Sequence, residues 1–219
     1  MDAAWQADRL AAGTTRQGLA GMLRGTQVMT ERGEVPVEHL TPGMRVPGST
    51  GVPRRVVWIG QRRIAPHRHP HPDWVQPIRI GRGAIDNGLP RRDLNVSPAL
   101  VLVLEGVALT VEALINGATI TPAAGVDVAE YYHVVLDWPD LLLAEGLAIE
   151  SHRDWDSRAA FGNAGPVLLL HPGPPALPTD IDDPAVQQVW HRLMQRAWAL
   201  GYAARPGLRP APARGREAP

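Results

Sequence analysis

The sequence predicts an all-β fold of many short strands with one amphipathic helix near its C-terminal end. Apolar residues come in short Val- and Leu-rich runs bounded by turn residues. Ala99 to Leu104 lies between Ser97-Pro98 and Glu105-Gly106, and Val107 to Ile115 precedes Asn116-Gly117. Runs of this kind read as buried strands rather than helices. The 22 Gly and 22 Pro make up about a fifth of the chain, and aromatics are few (7 Trp, 3 Tyr, 1 Phe), so turns are frequent and long helices rare. The exception is the stripe Val186, Val189, Trp190, Leu193, Met194 and Ala197, spaced as one apolar helix face.

Composition narrows the function classes. At 219 residues the chain suits one principal domain with a small appendage. With 22 basic and 22 acidic residues it gives no electrostatic reason to expect nucleic acid or an anionic membrane as partner. Cysteine is absent, which removes disulfides, thiolate metal sites and cysteine nucleophiles. No apolar stretch approaches the ~18–20 residues of a membrane span. The opening MDAAWQADRL carries no basic segment followed by an apolar one, so no signal peptide is predicted and the compartment stays open, cytoplasmic or exported by a signal-free route.

Taken in order, residues 1–20 predict a short helix over Asp2 to Ala12 or an arm, without a site. Gln27 to Met29 and Val35 to Val37 read as strands around Arg32-Gly33, with a second turn at Pro42-Gly43. Arg54 to Ile64 reads as a strand that can bury Trp58, with Gly60 as a candidate bulge. His67, His69 and His71 follow. On an extended chain their spacing places three imidazoles on one side, as a zinc ion needs. The interleaved Pro66, Pro70 and Pro72 point instead to a polyproline-like loop in which the side chains diverge. Gln76 to Ile80 is a strand and Asp86-Asn87-Gly88 a turn. Arg92 beside Asp93 reads as a structural ion pair at a strand entry. Val126 to Leu136 and Asp137 to Leu147 complete the β region. Ser151 and His152 suggest a hydrolase-like pair, but strand neighbours point to opposite faces. After the Pro-rich linker HPGPPALP, Asp183 caps the helix, Pro184 opens it and Gly201 stops it. Its stripe must be covered, either by the chain's own strands or by a protein partner seated on Val186, Trp190, Leu193, Met194 and Ala197. The tail from Arg205 to Pro219 is predicted disordered.

Several of these segments together resemble a bacterial Hint domain, the fold shared by hedgehog autoprocessing domains and inteins. They are Gly25-Thr26, Gly33 to Glu38, the His-Pro steps, Pro90 to Asp93, Leu94 to Ile120, Tyr131 to Gly146 and Arg153 to Asn163. The resemblance implies a Hint-type β-horseshoe over residues 21–163, flanked by the arm (1–20), by linker plus helix (164–204) and by the tail (205–219). It also implies a chemistry. Such a domain carries a Cys four residues before the Gly-Thr pair, whose sulfur attacks the preceding carbonyl. A Ser-Pro-Asp-His segment supplies a His that activates that bond, and a second His stands before the final Asp of the Tyr-Tyr-His-Val region. Here those positions hold Gly21, Ala99 with Leu100, and Pro139. None of these side chains transfers a proton or forms an acyl bond. His133 and Asp140 remain as acid/base candidates.

The reading favoured by the residues is a Hint-fold protein that has lost self-cleavage and serves as a structural or protein-binding module, with no cofactor. One alternative is an active autoprocessing domain with a displaced nucleophile, for which Thr14, Thr15 and Thr26 are the nearest hydroxyls. The other is a metal-binding protein built on His67, His69 and His71.

Overall fold

The computed structural model describes residues 19–151, 161, 163 and 183–202. The N-terminal helix expected over residues 2–12, a strand expected over 167–170, the Pro-rich linker, His152 and the tail lie outside them. The strands are β1 (Met22–Leu23), β2 (Gln27–Thr30), β3 (Gly33–Pro36), β4 (Arg45–Val46), β5 (Arg54–Ile64), β6 (Ile78–Ile80), β7 (Leu94–Val96), β8 (Val101–Leu104), β9 (Val107–Thr110), β10 (Ile120–Pro122), β11 (Ala129–Leu136), β12 (Leu141–Ala144) and β13 (Leu147–Glu150). Two helices, α1 (Pro72–Val75) and α2 (Pro184–Ala199), accompany them. The strands form two antiparallel sheets, one of seven in the order β10-β6-β7-β1-β11-β5-β4 and one of six in the order β3-β2-β12-β13-β8-β9. The all-β expectation holds, with α2 as the single long helix among the described residues.

Two hairpins of the six-stranded sheet turn on the same dipeptide. Glu105-Gly106 joins β8 to β9 and Glu145-Gly146 joins β12 to β13, with φ of 53° and 80° in the first and 50° and 85° in the second. Two consecutive left-handed residues make the tight turn whose twist matches that of the flanking strands, and glycine takes the second place without strain. Glu145 offsets the strain of its own φ through its carboxylate, which accepts from the Gln27 amide at 2.8 Å and from Arg92 Nε at 2.7 Å. Arg92 also reaches Glu34 at 2.6 Å, and its hydrogen bond is the leading reason why the Glu34 carboxyl is held below its ordinary range. The ion pair expected between Arg92 and Asp93 is therefore replaced. Asp93 accepts from the Arg82 amide and faces Arg79, while Arg92 ties β3 to the β12–β13 turn.

β11 pairs along its whole length with the Val56–Ile64 part of β5, and β11 is buried on both faces. Tyr132, Val134 and Leu136 belong to the main core together with Met22, Val56, Val96 and Leu102. Ala129, Tyr131 and Val135 face a second, smaller core with Leu19, Trp58, Ile64, Val75 and Phe161. This alternation follows from the two-residue period of a strand. It also assigns His133 to the side of Trp58 and Phe161.

Four local expectations are corrected. The register irregularity in the β5–β11 ladder falls at Val135/Leu136, not at Gly60, which pairs with His133 in register. Gly60 instead makes room for rings, since a methyl group there would meet the Trp58 indole and come 2.8 Å from the Phe161 ring. Gly60→Ala is expected to cost about 1–3 kcal/mol through overpacking, read as a lower urea midpoint at unchanged slope. The run Val107 to Ile115 is a strand only to Thr110. It then turns as a 3-10 helix over Val111–Leu114, which buries Val111, Ala113 and Leu114 together. The His-Pro loop is not polyproline-like, because Pro66 and Pro72 each sit at the start of a short helical turn. The strand expected over Gln76 to Ile80 begins at Ile78, because the Gln76 amide closes α1 on Pro72.

Helix α2 starts as expected. The Asp183 carboxylate accepts from the Ala185 amide at 2.8 Å with Pro184 behind it, and the chain leaves through Gly201 at φ 82°. Its stripe is covered by the chain itself, the first of the two coverings that the sequence allows. Val186, Trp190, Leu193, Met194 and Ala197 are all buried, and Val186, Val189 and Leu193 join the main core. Trp190 Nε1 donates to the Ile115 carbonyl, Arg192 to that of Ile85 and Arg196 to that of Gly83, which pins the helix across two loops.

Candidate functional site

The site follows from where β1 lies. This two-residue strand runs between β7 and β11, with Met22 opposite Val96 on one side and Tyr132 on the other. One residue further along the same antiparallel register, Gly21 falls between Ser97 and His133. The hydrogen bonds bear this out. The Gly21 amide donates to Ser97 Oγ at 2.8 Å, the Ser97 amide donates to the Gly21 carbonyl at 2.9 Å, and His133 Nδ1 lies 2.8 Å from the Ala20 carbonyl oxygen. A carbonyl only accepts, so Nδ1 is the protonated nitrogen in this contact. Both polar atoms of the Ala20–Gly21 peptide bond are thus held by side chains, its oxygen by His133 and its N–H by Ser97.

Aromatic rings roof this contact. His133 is 4 % exposed, with its ring centroid 6.4 Å from that of Trp58 and 5.6 Å from that of Phe161. Trp58 and Phe161 meet edge to face at 5.6 Å, and Asn163 fastens this segment to β5 through the Ile59 carbonyl and the Gln61 amide. Residues 19 and 23 share the aromatic side, while Ala20 and Met22 turn to the main core. A side chain at position 21 would point into the aromatic side. A Cβ there would lie 3.1 Å from Tyr131 Cβ and 3.2 Å from the Tyr132 carbonyl, a fit that asks neighbours to yield by a few tenths of an ångström.

Apart from Ser97, whose Oγ accepts from the Gly21 amide, the hydroxyls of this region are engaged elsewhere. Thr26 Oγ1 donates to the Leu23 carbonyl at 2.7 Å, closing a turn. Tyr131 donates to the Val75 carbonyl, and burial pushes its acidity constant far up. Tyr132 is pushed up to about 12 by burial and by its hydrogen bond to Glu130, so it stays a neutral donor at physiological pH. Thr14 and Thr15 lie outside the described residues.

The other positions that the sequence singles out have the following surroundings. Ala99 and Leu100 form the turn after Ser97; Leu100 is 3 % exposed and belongs to the main core. Pro139 stands in the turn between β11 and β12, half-buried. Asp140 serves a different purpose from the one expected of an acid/base residue. Its carboxylate accepts from Arg54 Nε at 2.6 Å and from the Ser49 and Leu141 amides at 2.9 and 2.8 Å, bracing the loop before β5 against β12. Burial opposes ionisation of this carboxyl, but the bonds from Ser49, Arg54 and Leu141 outweigh it and hold the group below its usual range. Ser151 Oγ accepts from the Leu136 amide and donates to the Val134 carbonyl, a structural stitch between β13 and β11. His69 Nδ1 lies against the backbone of His71, and His71 stacks on Trp74 at 4.2 Å. Among the described residues no group of three His, Asp or Glu is arranged to hold a metal ion. No described helix is long and apolar enough to cross a membrane. Sequence reasoning read Ser97 only as part of a turn and a motif and gave residues 19 and 20 no role.

Fold and site together describe an all-β domain that grips one peptide bond of its own chain between side chains from neighbouring strands. A family description of the Hint domain matches residues 20–156, well over half of the sequence. The chain belongs to the Hint domain family, an autoprocessing-type class. Solved structures similar to it include the gp41-1 intein (12% identity, 59% of this chain and 97% of that one, TM-score 0.45). Others are a DnaB intein from Synechocystis sp. PCC 6803 (10% identity, 61% and 99%, TM-score 0.44) and a bacterial intein-like domain from Clostridium thermocellum (12% identity, 60% and 98%, TM-score 0.43). No curated protein matches the sequence significantly.

Proposed function

We propose that this protein is a Hint domain that has lost self-cleavage and acts as a structural or binding module, keeping the segment before residue 21 attached. One observation carries the reading. The Ala20–Gly21 peptide bond is held at its oxygen and its N–H by His133 and Ser97, yet the residue that follows the carbonyl has no side chain. Acyl transfer needs a thiol or hydroxyl against that carbonyl, and its proton needs somewhere to go. Gly21 supplies the first of these to no degree, and Leu100, buried in the main core, supplies no base. What is left is a clamp in which residue 21 offers no attacking atom and Ser97 Oγ is occupied in accepting from the Gly21 amide.

The test is the intact mass of the full chain after days at neutral pH with hydroxylamine or dithiothreitol. The expected result is an unchanged mass. Fragments that separate between residues 13 and 26 overturn the reading in favour of an active domain with a displaced nucleophile.

A further inference from the structure

The second core has a feature that its place in the fold does not require. Leu19, only 7 % exposed, reaches it from the stretch just before the clamped bond, and it packs with Trp58, Val75, Tyr131 and Phe161 rather than with the main core. Backbone alternation sends Leu19 to the aromatic side, Ala20 to the main core and the bare Cα of Gly21 back to the aromatic side. Three successive residues thus meet three different fittings: an apolar slot for a side chain, an imidazole N–H for a carbonyl and a hydroxyl oxygen for an amide. The slot exists because Gly60 lacks a side chain and lets the Trp58 and Phe161 rings close over the strand.

We infer that the slot is a recognition subsite for the upstream segment. It takes an extended peptide with an apolar side chain two positions before residue 21 and uses that side chain to hold the Ala20–Gly21 bond against His133 and Ser97. The inference deepens the proposed function and rests on it, since an uncleaved segment is a permanent occupant of the slot and clamp. Leu19 is a positioning residue, because it touches neither polar atom of the bond. A polar side chain in the slot forfeits the burial, and the local clamp opens about ten- to a hundredfold more often while the rest of the fold stays closed.

Amide hydrogen exchange on the intact full-length protein tests this. In Leu19→Ser the Gly21 amide is expected to exchange at least about tenfold faster than in the wild type, while the Leu142 and Ile149 amides of the six-stranded sheet keep their protection. Leu19→Met, which keeps the volume and apolarity, is expected to restore the wild-type rate at Gly21. The inference is overturned if Gly21 stays as protected in Leu19→Ser as in the wild type. It is equally overturned if all amides accelerate together, which makes Leu19 an ordinary core residue. Failure of the lost-cleavage reading shows up separately, as loss of mass from the unsubstituted chain, and leaves the exchange pattern of the intact molecules to be read by itself.

Discussion

Gly21→Cys is expected to give the protein a cleavage that the wild type lacks, with release of residues 1–20 in the presence of hydroxylamine or thiol. The new side chain points to the aromatic side, next to the carbonyl that His133 holds. Its sulfur attacks the Ala20 carbonyl carbon, the amide nitrogen leaves with a proton, and a thioester replaces the peptide bond until the added nucleophile breaks it. Nδ1–H of His133 faces the oxygen on which negative charge develops, a contribution worth about 10²–10³ in rate for a well-placed donor. Cleavage in Gly21→Cys is therefore expected at least about a hundredfold above the wild-type background, and Gly21→Cys with His133→Ala is expected to lose most of it. The close approach of Tyr131 and the Tyr132 carbonyl sets the cost of the substitution, and Gly21→Ala, which fits the same space without sulfur, is the control that stays intact. A cysteine variant no more labile than Gly21→Ala would mean that the clamp holds the bond without activating it.

Removing the charge of Arg54 is expected to destabilise the molecule strongly. The Asp140 side chain is 2 % exposed and Arg54 is its only ion-pair partner among the described residues. Stripping one partner from a buried pair costs about 3–5 kcal/mol, because the other charge stays out of water. Arg54→Met is thus expected to lower Tm by roughly 6–20 °C for a chain of this size, and Arg54→Met with Asp140→Leu is expected to recover much of it. Acid sensitivity has a definite sign. The folded Asp140 carboxyl titrates below its unfolded value, so its contribution is complete above about pH 4–5 and is lost as pH falls through the depressed folded value. The Asp140→Asn variant is expected to lack this component of the acid transition. An identical acid limb in wild type and variant would show that the brace contributes nothing to it.

The sheets were legible wherever the chain announces its own turns. Glu105-Gly106, Arg32-Gly33 and Asp86-Asn87-Gly88 each fix a local reversal, and apolar alternation does the rest. The bulge was misread because a neighbour in space decided it, and the His-Pro loop because Pro66 and Pro72 open helical turns as readily as they extend a chain. Gly60 answers to the Phe161 ring, far along the chain. His133 was legible as a candidate because it stands in a Tyr-Tyr-His-Val pattern, but its partner was not. The contacts that make the site join Gly21 to Ser97 across 76 residues and Ala20 to His133 across 113. Antiparallel register over such separations leaves no mark in a local window, and so Leu19 and Ala20 read as an unremarked arm. Asp140 looked like an acid/base residue for the converse reason, since the pattern that names it carries no trace of Arg54.

The place of β1 has a consequence for how the polypeptide is made. Its two neighbours in the sheet, β7 and β11, are both synthesised later, β11 toward the far end of the β region. A ribosome therefore delivers the central rung before its rails, and the nascent strand waits for β7 and, for its second edge, for β11. Long-range pairing of this kind makes for slow acquisition of structure, and it leaves an early apolar segment within reach of chaperones or of other nascent chains.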